Sequence, residues 1–239
     1  MSERITIYDN PGNGRELSQA LWANCPRESI MANPGQGKYF HDDFMDLPTG
    51  KYTVTQATSG TFAAGTVEGG AAVADPGAAT ATQGPNIQLD SAQFKPAAGK
   101  KIYFEARIKA SAITSGINFF LGLAEVDTTV IATNAVSTAN HVGFSSVTAD
   151  GILLFNSEKA GTGDTGACTT LEADTWVKLG FLIDGVDSIK QFVDGVETGT
   201  AKVAANIPIV ELVPTLVVQA KGTQNTVSID YISVFQEDT

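Results

Sequence analysis

The chain is poor in positive charge. It holds 15 Lys and Arg against 26 Asp and Glu, a formal net charge of −11 over 239 residues. No basic run occurs anywhere. Phosphate backbones are held by clustered Lys and Arg, so no nucleic acid is expected as a direct partner. Charge of either sign is sparse, at 17% against roughly 25% in a typical soluble domain. Cysteine is limited to Cys25 and Cys168, which lie far apart and lack metal or redox spacing. One disulfide can be drawn between them, but two free thiols of a protein made in a reducing cytoplasm are expected. The only histidines are His41 and His141. No His-Glu-x-x-His run and no Cys pair accompany them, so no zinc set is legible. No apolar run approaches the ~20 residues that cross a bilayer. The first residues show no basic stretch followed by an apolar one, as a secretory signal would. No membrane partner and no export by the usual route are expected.

What the chain does have is strands. Hydrophobic residues make up 43% of it, enough for a sizeable core. Residues 176–197 hold two apolar runs, each ending in Asp-Gly, at Asp184-Gly185 and Asp194-Gly195. Gly adopts positive φ without steric cost, so each pair closes a tight turn between antiparallel strands. In Lys101-Ile-Tyr-Phe-Glu-Ala-Arg-Ile-Lys109 the residues Ile102, Phe104, Ala106 and Ile108 face one way. Lys101, Tyr103, Glu105, Arg107 and Lys109 face the other, the period of a half-solvated strand. Further strands are expected at 51–56, 86–90, 118–124, 142–147, 152–155, 215–220 and 227–235, with a turn at 222–225. Residues 57–86, rich in Ala, Gly and Thr, read as small-residue sheet, with thin strands at 65–73 and 78–82. Gly161-Thr-Gly-Asp-Thr-Gly166 reads as a polar loop. In the strand at 227–235 both faces carry apolar residues, which marks it as central.

Residues 1–38 are different. Ile5, Ile7 and Tyr8 form a short apolar patch, followed by a turn cluster at 9–14. Leu17, Ala20, Leu21 and Trp22 then fall on one helical face, and Pro26 ends the pattern. The expected organisation is therefore an N-terminal arm, 1–38, with one short helix, and an all-β, antiparallel β-sandwich (jelly roll) over 39–239. The arm's apolar side chains need a surface, either the protein's own sandwich or a neighbouring subunit.

Several segments, in this order, resemble the concanavalin A-like sandwich in its laminin-G-like form. They are Phe104-Glu-Ala-Arg-Ile108, Phe120-Leu-Gly-Leu123, Val142-Gly-Phe-Ser145, Trp176-Val-Lys-Leu179, Phe192-Val-Asp-Gly195 and Val227-Ser-Ile-Asp-Tyr-Ile-Ser-Val234. The fold serves lectins, glycan hydrolases and viral structural proteins alike. The hydrolases carry a Glu-x-Asp-x-x-Glu run that sets two carboxylates on one strand face. No such run is present, so no enzyme is expected. Asp42-Asp43 and Asp184–Asp187 read as turn formers. Calcium through the loop acids Asp127, Asp150 and Asp164 is a minor alternative, and no cofactor is expected.

With its low charge and N-terminal arm, the chain most resembles tailed-phage virion proteins. That resemblance implies a capsid decoration (cement) or head-fibre subunit of the virion, made in the host cytoplasm. Its partners would be the major capsid protein and itself, as a homo-oligomer with a trimer favoured. Ile5, Ile7, Tyr8, Leu17, Leu21 and Trp22 would make the contacts, with Trp22 as the anchor. The alternative is a lectin-like module that binds a glycan. It needs exposed aromatics, and Tyr52, Tyr103 and Phe155 are the candidates, each expected to be packed. Trp176 is expected to be buried packing.

Overall fold

The computed structural model describes residues 14–67, 69–91, 93–113, 117–132, 134–147 and 151–238. Two short helices open the described chain, α1 (Gln19–Trp22) and α2 (Arg27–Ala32). Strands follow as β1 (Gly37–Asp42), β2 (Tyr52–Ala57), β3 (Thr61–Ala64), β4 (Ala72–Asp75), β5 (Gly84–Leu89), β6 (Lys101–Ala110) and β7 (Asn118–Ala124). A small hairpin, β8 (Ile131–Ala132) and β9 (Ala135–Val136), precedes β10 (His141–Ser146), β11 (Ile152–Lys159) and β12 (Thr162–Thr170). The last strands are β13 (Val177–Asp184), β14 (Ser188–Val193), β15 (Val196–Val203), β16 (Val213–Gln219) and β17 (Val227–Glu237).

Two antiparallel sheets pack face to face. One runs β15-β14-β13-β6-β17-β4-β3, with β1 also paired to β17. The other runs β12-β11-β10-β7-β16-β5-β2. Strand alternation sends Ile102, Phe104, Ala106 and Ile108 of β6 inward, where they meet Phe119, Leu121 and Leu123 of β7 in one core. Four phenylalanines stitch the layers together. Phe104 and Phe181 are cross-strand partners, stacked at 4.6 Å. Phe144 and Phe155 are cross-strand partners in the facing sheet, and Phe155 meets Phe181 edge-on at 5.7 Å. This is an all-β, concanavalin-like sandwich.

Both Asp-Gly pairs lie at turns. Asp187 N–H donates to the Asp184 carbonyl at 3.0 Å, closing β13 onto β14. Asp194 (φ 48°) and Gly195 (φ 78°) both take positive φ, as a two-residue type I′ turn requires. A β-carbon at Gly195 would also lie 3.2 Å from Ser18 Cβ. Gly195→Ala is therefore expected to destabilise the protein by about 1–2 kcal/mol, read as a lower urea midpoint with an unchanged slope.

The structure changes several readings. The two small-residue strands lie at Thr61–Ala64 and Ala72–Asp75, with bends and a turn over 77–82. Residues 161–166 belong to the hairpin of β11 and β12 rather than to a loop, because Ala160 (φ 48°) and Gly161 (φ 88°) make another positive-φ turn. β16 and β17, on either side of the turn expected at 222–225, sit in opposite layers, so the chain crosses the sandwich over 220–226. The helical segment is two helices, with Pro26 at the N-cap of the second. The outer face of β6, expected to be half-solvated, is covered: Tyr103 and Glu105 are each 1% exposed. Residues 14–32 do the covering.

Candidate functional site

Residues 14–32 form a strap across the outer face of the larger sheet. Leu21, Trp22 and Ile30 bury their side chains against Tyr103, Phe192 and Phe235, with Leu17, Cys25 and Leu182 at the margin. The Trp22 ring stacks on Tyr103 at 5.8 Å and meets Phe235 edge-on at 5.6 Å. Leu21 lies so close to β13 that a β-carbon at Gly180 would sit 2.5 Å from its Cδ2. Gly180 is thus required by its neighbours and not by its own dihedrals: Leu21 of the strap comes first, and the Phe104 carbonyl oxygen of β6 follows at 3.0 Å.

Charge holds the strap as well. The buried Glu105 carboxylate accepts the Ser18 N–H on both oxygens at 3.2 Å. It also accepts Trp22 Nε1–H at 3.2 Å and the Tyr231 hydroxyl at 2.6 Å. Burial, then the Glu105 charge and hydrogen bond, push the Tyr231 phenol well above its ordinary value. Asp230, also buried, pairs with Arg107 at 2.6 Å and with Arg15 of the strap at 3.0 Å. Glu105 and Asp230 are two carboxylates on adjacent strands, but both are sealed beneath the strap and engaged by their partners. They do not face each other across a cleft.

The arm residues therefore stand as follows. Ile5, Ile7 and Tyr8 lie outside the described residues. Leu17 is half-buried at the edge of the strap. Leu21 and Trp22, at 2% and 4% exposure, are corrected: both pack on the chain's own sheet instead of a neighbouring subunit, and Trp22 leaves only a margin toward the cleft beside the strap. The apolar stripe needed somewhere to lie, and the outer face of β6 with Phe235 of β17 supplied it.

Beside the strap opens a cleft of about 890 Å³. One wall is the strap from Leu17 to Met31, and the other is the sheet face at Tyr39, His41, Ser233 and Phe235. The register of β1 on β17 makes Tyr39 the direct partner of Phe235, and His41 that of Ser233. Tyr39 stacks on Phe235 at 5.4 Å and 19° yet remains 46% exposed, so its outer face is open. His41 Nδ1 shares a 2.6 Å hydrogen bond with Ser233 Oγ. Desolvation holds the imidazole below its usual 6.5, against the pull of Asp43 and Asp42, so at neutral pH it carries no charge. On the opposite wall the Arg27 guanidinium lies over the Trp22 ring at 5.7 Å, next to the exposed Glu28 and Ser29. The Cys25 thiol is pushed up to about 12, mainly by burial, and stays protonated.

A smaller cleft of about 240 Å³ lies near Trp176. That ring is only half-buried, because Arg107 (4.7 Å) and Lys109 (5.4 Å) lie over it in place of core side chains. Of the aromatics named for a sugar platform, Phe155 and Tyr103 are fully packed. Tyr52 is half-buried and donates to Asp42 at 2.6 Å. Asp42 is itself buried and paired with Lys51 at 2.7 Å, so it is more than a turn former. The residue missed was Tyr39. It lies close to a loop and carries no sequence signal beyond strand alternation; its exposure depends on where the strap ends.

The described loop acids each have a local partner. Asp127 caps its own turn through Thr129, Asp164 pairs with Lys202 at 3.0 Å, and Asp150 lies outside the described residues. Among the described residues no group of three or more His, Cys, Asp or Glu side chains is placed to hold a metal. Cys25 and Cys168 are both free thiols.

The chain matches no protein-family model and no curated protein. Its fold does match solved structures. A protein of unknown function from Shewanella oneidensis MR-1 superposes with a TM-score of 0.60 at 15% identity, over 84% of this chain and 87% of the other. An endo-1,3-beta-glucanase from Streptomyces sioyaensis gives 0.59 at 15% identity, over 87% and 99%. Peanut lectin gives 0.57 at 10% identity, over 84% and 97%. At such identities the likeness shows the sandwich fold and nothing finer.

Proposed function

We propose that this protein is a non-enzymatic, lectin-like module that binds a saccharide in the cleft between the strap and the larger sheet. The observation that carries the reading is Tyr39, a ring braced from behind by Phe235 and open in front. Sugar rings present flat C–H faces that stack on such a platform, while their hydroxyls need paired donors and acceptors close by. His41, Ser29, Glu28 and Arg27 supply those groups around the ring. With Nδ1 engaged by Ser233, a neutral His41 offers a ligand hydroxyl its Nε2, as donor or as acceptor according to the tautomer. The lectin and glucanase among the structural neighbours support a saccharide as the ligand class. The sealed state of Glu105 and Asp230 supports binding without hydrolysis.

A glycan array that includes β-1,3-gluco-oligosaccharides tests the reading, followed by calorimetric titration of the best binder. Tyr39→Ala is expected to weaken that binder about tenfold, equivalent to about 1.4 kcal/mol, with a stability change within about 1 kcal/mol. Equal affinity in the variant would remove the cleft as the site.

A further inference from the structure

We propose that Glu105 is a positioning residue for the cleft: its carboxylate docks the strap, and the docked strap is the wall against which the saccharide binds. The inference rests on the cleft being the saccharide site. The two walls have different origins. Tyr39 and Phe235 belong to strands held in the ladder of β1 and β17. Trp22 and Arg27 belong to helices of 4 and 6 residues, too short to hold their own shape in water. Their position has to come from the sheet beneath.

Glu105 supplies it at the start of α1. The Ser18 N–H is held on both carboxylate oxygens, and the Ser18 carbonyl in turn accepts the Trp22 N–H at 3.1 Å. The same carboxylate takes the Trp22 ring N–H from below, while Tyr231 fixes its orientation. Glu105 does not line the cleft, so it acts on a ligand only through Trp22 and the helix that follows. A saccharide that touches both walls binds the docked strap and not the lifted one. Binding and docking are then linked, and each strengthens the other by the same factor.

The test uses the full chain and, as its probe, the tightest oligosaccharide found on the array. Glu105→Gln keeps the shape and removes the charge. It is expected to bind the probe about tenfold more weakly, with faster hydrogen exchange at the amides of Ser18 and Trp22 and unchanged exchange in β6 and β13. Leu21→Ala, which removes strap packing and neither bonds the carboxylate nor lines the cleft, should act in the same direction and serves if the first variant fails to fold. Reciprocally, saturating probe should slow exchange at Ser18 and Trp22 in the wild-type protein, as linkage between binding and docking requires. If the strap loosens in both variants while the probe binds as in wild type, the positioning role is overturned and the saccharide site stands. If the array returns no binder, the saccharide reading falls and this inference falls with it.

Discussion

Glu105→Ala is expected to cost about 3–5 kcal/mol of folding stability, among the largest effects of any single substitution in the strap region. Three donors converge on this carboxylate: the Ser18 N–H, the Trp22 ring N–H and the Tyr231 hydroxyl. All lie beneath the strap, where Ser18, Trp22 and Tyr231 are 5%, 4% and 3% exposed. Alanine leaves each donor desolvated without an acceptor, at roughly 1–3 kcal/mol apiece, less what inward movement of water restores. A surface glutamate on the outer face of a half-solvated strand would cost about 0.5 kcal/mol or less, so the measurement separates the two pictures cleanly. Urea denaturation followed by tryptophan fluorescence provides it. A loss below about 1 kcal/mol would mean that the strap is not held as described.

The second large effect is a dependence of stability on pH through His141. This ring is 3% exposed and packs edge-on against Phe120 at 5.3 Å. Its Nδ1 donates to the Ala139 carbonyl at 2.8 Å, an acceptor that fixes the proton on that nitrogen. Burial lowers its pKa from 6.5 to about 4, opposed only in part by the Ala139 hydrogen bond and by Glu125. Above pH 6.5 the ring is neutral in both the folded and the unfolded chain, and its contribution is flat. As the pH falls below 6.5 the unfolded chain takes up a proton that the folded chain refuses, so stability drops. The drop levels off near pH 4, where the folded ring also protonates. A shift of this size corresponds to about 3 kcal/mol. His41, whose pKa is also lowered, adds in the same direction. Equilibrium unfolding at pH 7 and pH 4 should show the loss, and in His141→Gln it should be smaller by about that amount. An equal loss in both proteins would assign the acid sensitivity to other groups.

Both effects come from residues that the sequence presents as unremarkable. His141 stands just before an apolar run and reads as an edge or turn residue, yet it is the first residue of a strand whose outer face is closed by packing. Glu105 occupies the polar phase of an alternating strand. The period of two was legible and correct: Glu105 does point away from the inter-sheet core. What lies on that outer side was not legible, because the covering segment is some ninety residues earlier in the chain. The same holds for the clefts. Leu21 and Trp22 announce an apolar stripe, but the stripe's partner is set by Gly180, Tyr103 and Phe235, which come from three separate strands. Tyr39 is exposed only because the strap passes it by.

By itself, then, the sequence determined the strongly apolar strands, their inward faces and the Asp-Gly turns, because these follow from local sterics and from the burial of alternate side chains, whereas the small-residue strands and β12 were misplaced or missed. Sheet partners and covered faces were decided by tertiary structure alone. β16 and β17, which flank one expected turn, were sent to opposite layers, and a polar strand face became the seat of a buried carboxylate. Such outcomes depend on which distant surfaces meet, and the free energy of that meeting is a property of the assembled sandwich rather than of any segment in it.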